Sequence, residues 1–443
     1  MTAAPNGLRT GGPLSGSGTL TDDAAELGRQ TRLVDDLIGS LPSKPTRTAD
    51  QQAAADQGHE FCRRLRGTFI SRHGAAVYCL LTDDLAQRPR LDALVAAAAR
   101  RFPGLVPDET QLAAEFELPQ SDREGREIDQ GIFFGGIFGD PVSGTHLLES
   151  MLRPSEQAVK LLPEFEAADE LDLGPVRIDR VGETAHVTIQ NLDALNAEDN
   201  ALVQALETAV DLVLLDPRVR TGVLRGAEMT HPRYAGRRVF SAGINLKHLH
   251  QGRISFVDFL LGRETGFISK IYRGLLVDDP NGTTQQLEKA WIAAVDSFAI
   301  GGGAQLVLVF DHVLAASDSY FSLPAAQEGI VPGVSNLRLT RMAGGRVARQ
   351  VILGGRRIGA TEPAAALFFD EVVPPEEMDR VIAERATELA APAVVPNRHM
   401  INHSEEPLDV FRHYLAEFSH QQALRLYSAD VIDKVGRRPG AGG

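Results

Sequence analysis

The sequence predicts an α/β domain that follows an all-helical region and is itself followed by further helices. From residue 22 to about residue 163, apolar side chains recur at helical spacing, for example at Leu91, Leu94 and Ala98. Near Val176 this period gives way to the alternation of short strands. Strand-like and helical segments then take turns, which is typical of a parallel sheet with helical crossovers.

The expected strands of the α/β domain are short apolar runs at 176–178, 186–189, 222–225, 291–295 and 313–316. Helical periodicity returns toward the C-terminus, at 364–367 and Met378–Leu389. The predicted organisation is therefore a flexible tail at 1–20, a helical N-terminal domain at 21–170, an α/β domain at 171–385, and a C-terminal helical region with a tail at 386–443.

Composition indicates a globular protein with a small-molecule partner. Its 443 residues, 43% of them hydrophobic, suffice for a large core, and the formal charge of −14 opposes binding to nucleic acid or anionic lipid. Cys62 and Cys79 form no CxxC pair, and His248 and His250 fit surface residues better than metal ligands. We therefore expect no metal. No stretch fits a signal peptide or a membrane span, so we expect a cytoplasmic location.

Two glycine-containing segments, at 239–246 and 299–306, are the candidates for chemistry. The second follows a predicted strand and opens a predicted helix, where unpaired backbone amides attract negative charge. A simple tight turn at 301–303 is the competing interpretation. A phosphate-binding P-loop is excluded because no Gly-Lys-Ser/Thr follows, and the GxGxxG spacing is incomplete.

In order, spacing and flanks, the two segments resemble the paired signature of the crotonase (enoyl-CoA hydratase/isomerase) superfamily. The flanking matches are at 194–197, Asp311, 331–333 and 338–341, and the resemblance covers about residues 175 to 385. It implies a spiral of ββα units that binds an acyl-CoA thioester. It also implies that the backbone amides of Ile244 and Gly302 hold the thioester oxygen, and two such donors stabilise an enolate by about 3 kcal/mol each.

The sequence departs from the hydratases of this superfamily at both of their glutamates. Those positions correspond to Gln305 and Ala325, neither of which can act as a carboxylate base. Hydration by two carboxylates is therefore disfavoured. An oxyanion hole without its usual acid and base suits a substrate whose enolate forms easily and then meets another electrophile.

The long helical region, Gln305 and the segment 233–247 resemble the cofactor-independent dioxygenases of glycopeptide antibiotic pathways. That resemblance implies oxidation of 3,5-dihydroxyphenylacetyl-CoA by O₂ to 3,5-dihydroxyphenylglyoxylate and CoA, with no metal, flavin or other cofactor. It implies that Glu198 and Arg263 contact the ring hydroxyls and that Gln305 lies near the thioester. The superfamily usually forms trimers or pairs of trimers, so a homo-oligomer is expected.

Each of these side chains has a second interpretation. Glu198 follows a candidate helix N-cap at Asn196, where an acid favours the helix dipole. Arg263 fits a solvated surface charge, and Gln305 fits a side chain that bridges within its own helix. At the level of function, the alternatives are another crotonase activity, such as thioester hydrolysis or double-bond isomerisation, and a noncatalytic acyl-CoA-binding subunit.

Overall fold

The structure, a computed structural model, describes residues 18–279 and 281–432. The chain divides into two compact units, each built from several segments. The first, the helical unit, has its described residues at 18–150, 250–257 and 412–432; the second, the α/β unit, has them at 151–249, 258–279 and 281–411. The predicted tails lie outside the described residues, except that residues 18–20 lead into the first helix.

The α-helices are α1 (Leu20–Ser40), α2 (Ala49–Leu81), α3 (Leu91–Arg101), α4 (Glu109–Phe116), α5 (Glu127–Gly139), α6 (Pro141–Met151), α7 (Glu156–Ala168), α8 (Asn200–Leu215), α9 (Leu246–His250), α10 (Gly262–Thr265), α11 (Phe267–Arg273), α12 (Gly302–Val307), α13 (Ala325–Glu328), α14 (Ser335–Ile352), α15 (Met378–Leu389), α16 (Val394–Glu405) and α17 (Leu408–Leu426). A π-helix spans Phe256–Leu261, and short 3₁₀ turns occur at Lys44–Thr46, Gln120–Asp122, Leu192–Ala194, Pro363–Leu367 and Pro375–Glu377. No helix of the described residues has the length and apolar content needed to cross a membrane.

The strands are β1 (Glu170–Asp172), β2 (Val176–Val181), β3 (Thr184–Ile189), β4 (Thr221–Gly226), β5 (Leu275–Asp278), β6 (Thr284–Leu287), β7 (Ala290–Val295), β8 (Ala299–Ile300), β9 (His312–Ala316), β10 (Tyr320–Ser322), β11 (Ile358–Gly359) and β12 (Glu371–Val373).

The helical unit is organised around α2, which packs against α1 and α5. Its first helices begin at side-chain caps: Thr48 and Gln51 form a capping box at the start of α2. α5 approaches α2 closely at Gly136, where a β-carbon would lie 2.5 Å from Ile70, so a larger residue would push the helices apart. Cys62 is buried in the contact between α1 and α2.

A part-buried ion pair also stabilises the helical unit. The Glu124 carboxylate accepts hydrogen bonds from Arg47 at 2.6 Å and from His59 at 2.9 Å. Burial alone would raise the pKa of Glu124, but these two neighbours outweigh it and lower the pKa to about 2. Glu124 is therefore ionised at neutral pH.

A seven-stranded sheet in the order β1-β2-β3-β4-β7-β9-β12 forms the centre of the α/β unit. The first two neighbouring pairs are antiparallel, and every pair from β3 onward is parallel. Each residue of β7 is buried, as expected for a parallel strand covered on both faces. A smaller sheet, β11-β10-β8, carries the second glycine segment at the end of β8.

The α/β fold class with helical regions before and after it is confirmed. The five expected strands lie within β2, β3, β4, β7 and β9. The helix expected to follow an Asn196 cap instead begins at Asn200 with Asp199 as its N-cap. The cap prediction was wrong because Asn196 has φ +57° and its side-chain amide donates to the Val239 carbonyl at 2.7 Å. The helix expected at 364–367 is a 3₁₀ turn.

Candidate active site

The second glycine segment forms a strand-to-helix turn that only glycine can adopt. β8 ends at Ile300, and the next residue, Gly301, has a φ of +52° and a ψ of −114°, a region closed to residues with a β-carbon. α12 then begins at Gly302, where a β-carbon would lie 2.6 Å from a Glu198 carboxylate oxygen. The glycines are therefore required both by backbone conformation and by close packing.

The first glycine segment lies directly beside this turn. The Ile300 amide donates to the Ser241 carbonyl at 3.0 Å, which aligns the two segments. At Gly243, with φ +87°, a β-carbon would lie 2.8 Å from the Ile300 carbonyl oxygen and 3.0 Å from the Gly302 nitrogen. The fold thus brings together the two backbone stretches that the sequence pattern singled out.

The amides of Ile244 and Gly302 lie one on each of these stretches, and both are unpaired. On either side of Ile244 the backbone is fixed, because the Glu198 amide donates to the Gly243 carbonyl at 2.6 Å and the Asn245 amide donates to the Glu198 carbonyl at 2.8 Å. Within residues 18–279 and 281–432, neither the Ile244 nor the Gly302 amide has a hydrogen-bond acceptor. Both are available to a ligand oxygen.

Beside the glycine turns, a buried cluster is centred on Arg263. The Arg263 guanidinium binds Glu198 through Nε and through Nη2, the latter at 3.0 Å. Nη1 donates to Gln305 Oε1 at 2.9 Å and to Glu264 Oε1 at 3.0 Å. Nη2 also donates to the Gly302 carbonyl at 2.7 Å. All five N–H groups of Arg263 are therefore used within the protein.

This geometry excludes the second interpretation of each predicted side chain. Arg263 is only 3% exposed, so a solvated surface charge is excluded. Glu198 is 0% exposed and pairs with Arg263, while Asp199 caps the helix that follows. The Gln305 amide oxygen accepts from Arg263 and does not bridge within α12. The structure thus brings Glu198, Arg263 and Gln305 into one cluster next to the two amides.

Glu264 is a member of the cluster that sequence reasoning missed. A β-carbon at Gly333 would lie 2.0 Å from Glu264 Oε1 and 2.8 Å from Gln305 Oε1, so a carboxyl group lies beside Gln305 after all. Glu264 Oε2 is buried and has no hydrogen-bond partner among the described residues. Arg338 Nη1 lies 3.5 Å from this oxygen. A signal existed: an Arg-Glu pair between apolar helical segments has to be buried, and buried charges require partners.

The surroundings of Glu264 and Arg263 shift the pKa values of these two residues for different reasons. Burial is the largest influence on Glu264 and raises its pKa, and the nearby Arg263 and Arg338 offset this only in part. Burial opposes the charge of Arg263, but Glu198 and Glu264 outweigh it and raise the pKa of the guanidinium. Arg263 is therefore a permanent cation, and Glu264 is the group whose charge responds to its surroundings.

A row of stacked aromatic and basic side chains lies near the start of the first glycine segment. Tyr234 and Phe298 meet edge to face at 5.5 Å between ring centroids, and Phe298 and Tyr320 follow at 5.6 Å. Arg233 lies 5.6 Å from the Tyr234 ring centroid and Arg357 lies 3.3 Å from that of Tyr320. Both arginines are exposed, so the row presents positive charge to solvent.

Three further positions considered in the sequence are not members of the Arg263 cluster. His248 is part-buried, with Nδ1 3.2 Å from Asp199, whereas His250 is exposed. Ala325, at one of the two glutamate positions of hydratases, is buried at the start of α13. Among the described residues no three His, Cys, Asp or Glu side chains form a group suited to a metal ion.

Residues 180–409, just over half of the chain, match the sequence model of the enoyl-CoA hydratase/isomerase family. The chain belongs to the enoyl-CoA hydratase/isomerase family. This confirms the crotonase resemblance and the fold that it implies. The family's segment contains both glycine turns and the whole Arg263 cluster, and it excludes most of the helical unit.

Relatives in this family differ in how much of the chain they match. The (3,5-dihydroxyphenyl)acetyl-CoA 1,2-dioxygenase of Amycolatopsis orientalis is 55% identical over 414 residues, which cover 94% of this chain and 95% of the relative. The short-chain-enoyl-CoA hydratase of Clostridium acetobutylicum is 29% identical over 227 residues, which cover 51% of this chain and 78% of that hydratase.

Among solved structures, EchA1_1 of Mycobacterium paratuberculosis superposes with a TM-score of 0.50 at 24% identity, covering 60% of this chain and 96% of that one. This likeness concerns the fold. The match to the dioxygenase extends over almost the whole chain, including the helical unit, whereas the hydratase and the solved structure match only part of it.

Proposed function

We propose that this family member is a metal- and flavin-independent dioxygenase that converts 3,5-dihydroxyphenylacetyl-CoA and O₂ to 3,5-dihydroxyphenylglyoxylate and CoA. The observation that carries the proposal is 55% identity, over almost the full length of both chains, to a (3,5-dihydroxyphenyl)acetyl-CoA 1,2-dioxygenase. The geometry of the buried site supports it in three ways, at the thioester, at the ring and at the CoA end.

At the thioester, the Ile244 and Gly302 amides bind the carbonyl oxygen. Loss of an α-proton moves negative charge onto that oxygen, and two donors fixed by the backbone stabilise it by about 3 kcal/mol each. The aryl ring delocalises the same charge. The site therefore lowers the barrier to the enolate without a side-chain donor, which leaves Ile at position 244 free to be apolar.

The enolate then reduces O₂, and a bond forms between the α-carbon and one oxygen atom. The distal oxygen of the resulting peroxide attacks the thioester carbonyl and expels CoA as the thiolate. Breaking the O–O bond, with loss of the second α-proton, leaves a ketone and a carboxylate. Both atoms of O₂ enter the arylglyoxylate, and the two protons of the α-carbon balance those of the carboxylic acid and the CoA thiol.

At the ring, the hydroxyl groups bind hydrogen-bond acceptors that Arg263 holds in place. Because all five N–H groups of Arg263 are engaged within the protein, its role is to orient Glu198, Glu264 and Gln305. The unpartnered, buried Glu264 Oε2 suits a hydroxyl donor. Glu198 and the Gln305 amide complete the polar surface toward the ring and the thioester.

At the other end of the substrate, the aromatic and basic row binds CoA. Its exposed arginines, Arg233 and Arg357, supply local positive charge to the phosphates in a chain whose net charge is −14. Its rings offer faces on which an adenine base stacks.

Family resemblance supports a homo-oligomer, either a trimer or a pair of trimers, which light scattering of the purified protein tests. Because a CoA thioester carries several phosphate charges that a bilayer excludes, the reaction belongs in the cytoplasm, where the substrate is made available.

The test is the fate of ¹⁸O₂ given to chelator-treated, colourless protein with 3,5-dihydroxyphenylacetyl-CoA. Two labelled atoms in the arylglyoxylate, with one CoA released per O₂ consumed, support the proposal. Arylacetate without label and with free CoA would identify a thioester hydrolase. An isomerised thioester or unchanged substrate would point to an isomerase or a binding subunit.

A further inference from the structure

The Arg263 cluster continues as a series of side chains of alternating charge toward the last two helices. Glu264 faces Arg338 of α14, at 3.5 Å, and Arg338 donates to Glu406 from Nε at 2.9 Å and from Nη2 at 3.1 Å. Arg273 donates to Glu406 at 2.7 Å. Glu406 follows α16 and is 2% exposed.

The carboxyl groups on either side of Arg338, those of Glu264 and Glu406, hold it in one orientation. Nε and Nη2 form the edge that grips a carboxylate most strongly, and Glu406 occupies that edge. Only Nη1 is left to face Glu264 Oε2, beyond good hydrogen-bond length. The guanidinium also lies over the rings of Tyr272, at 5.6 Å, and Phe411, at 5.8 Å.

We infer that Glu406 is a positioning residue for the ring-recognition cluster, acting through Arg338 and Glu264 on Arg263. The inference rests on the proposed function for its catalytic consequence. Nothing in the reaction requires Glu406 to touch the substrate. Glu406 keeps the Nε–Nη2 edge of Arg338 away from Glu264. Glu264 therefore stays bound to Arg263 and retains one free oxygen.

Removing the charge of Glu406 changes this balance. Glu264 is then the one strong carboxylate partner of Arg338, and Arg338 turns its Nε–Nη2 edge toward Glu264. Glu264 is drawn from Arg263 Nη1, and the oxygen that faced the ring hydroxyl becomes occupied. The Arg263 contacts with Glu198 and Gln305 remain, so the expected loss is in ring recognition and not in enolate formation.

Removing the charge of Glu406 also changes the pKa of Glu264. Burial raises its pKa most, Arg263 and Arg338 lower it, and the carboxylate of Glu406 raises it further. The other groups that face Glu264 are uncharged: Gln305, Gly333 and the Val334 backbone amide, which also lowers its pKa. Loss of the Glu406 charge together with a closer Arg338 therefore lowers the pKa of Glu264, and any activity limb that Glu264 controls moves to lower pH.

The test compares Glu406→Gln with Glu405→Gln, a change of the adjacent, exposed carboxylate. For each variant, kcat/KM is measured with dihydroxylated and unsubstituted phenylacetyl-CoA across pH. We expect Glu406→Gln to reduce the preference for the dihydroxylated substrate about 10-fold, a usual size for coupling within a buried network. We also expect the acid limb of its profile to shift to lower pH. Glu405→Gln should match wild type.

Two further measurements keep the outcome clear. Arg338→Lys keeps the charge but not the gripping edge, so it should reduce the preference as well, and adding Glu406→Gln to it should cost little more. A crystal structure of Glu406→Gln should show Arg338 and Glu264 at hydrogen-bond distance. Unchanged positions of Glu264 and Arg263 in that crystal structure would overturn the inference. In an active enzyme, a substrate preference and pH profile of Glu406→Gln equal to those of Glu405→Gln would also overturn it. A wild-type protein that consumed no O₂ would refute the proposed function, and the crystal structure would still test the inference.

Discussion

Replacing Arg263 by lysine separates the charge at the site from its geometry. Arg263 makes five hydrogen bonds, to Glu198, Glu264, Gln305 and the Gly302 carbonyl. An ammonium has three N–H groups, so at least two of these bonds are lost. At about 1.5 kcal/mol for each charge-assisted bond, the loss is about 3 kcal/mol, or ~150-fold in kcat/KM for the dihydroxylated substrate.

The assay follows O₂ uptake and CoA release with dihydroxylated and unsubstituted phenylacetyl-CoA. Because the lost bonds orient the acceptors for the ring hydroxyls, the unsubstituted substrate should lose much less. Arg349→Lys is the matched control, since Arg349 is exposed and its one side-chain hydrogen bond among the described residues goes to the Gly345 carbonyl of its own helix. An equal loss for both substrates, or a loss below about 5-fold, would refute the role of the guanidinium in holding these acceptors.

Three further changes test other parts of the structure. Gly243→Ala places a β-carbon 3.0 Å from the Gly302 nitrogen and should lower kcat about 100-fold in a protein that still folds by circular dichroism. Glu124→Gln should lower the free energy of unfolding by about 2–3 kcal/mol at pH 7, because the pKa of Glu124 is lowered to about 2 in the folded chain. That difference is present above about pH 4.5 and should vanish as pH falls toward 2 in denaturant titrations. Arg357→Ala should raise KM for the CoA substrate about 10-fold and change kcat little in steady-state assays, because it removes one contact to the phosphates.

The parts of the site that sequence predicted are those encoded locally. The glycine segments can be recognised in the sequence because a positive φ and a close backbone approach restrict the residue type, whatever the rest of the fold does. Their mutual contact and the amides of Ile244 and Gly302 followed from the family pattern. Glu198 and Arg263 were found as positions, but their pairing across 65 residues of sequence was not.

The missed residues share a different property. Glu264, Arg338 and Glu406 gain their importance only from one another, and the last two are 68 residues apart. Arg338 and Glu406 look like ordinary surface charges in sequence, and only burial in the folded chain turns such charges into a network. The helical unit is a similar case, because it takes in residues 250–257 and 412–432, which no linear division of the sequence would assign to it.

If the proposed function is right, the balance of charge in the extended cluster determines how this site would recognise the ring of its substrate. Three carboxyl groups, of Glu198, Glu264 and Glu406, face three guanidinium groups, of Arg263, Arg338 and Arg273, so each guanidinium already has an acidic partner within the protein. Discrimination therefore arises from hydrogen bonding. A ring without hydroxyls leaves the buried Glu264 Oε2 unpaired in the bound complex, at a cost of about 1–3 kcal/mol. A site built around unsatisfied acceptors rejects the analogue that lacks the donor far better than an apolar pocket rejects one that is slightly too small.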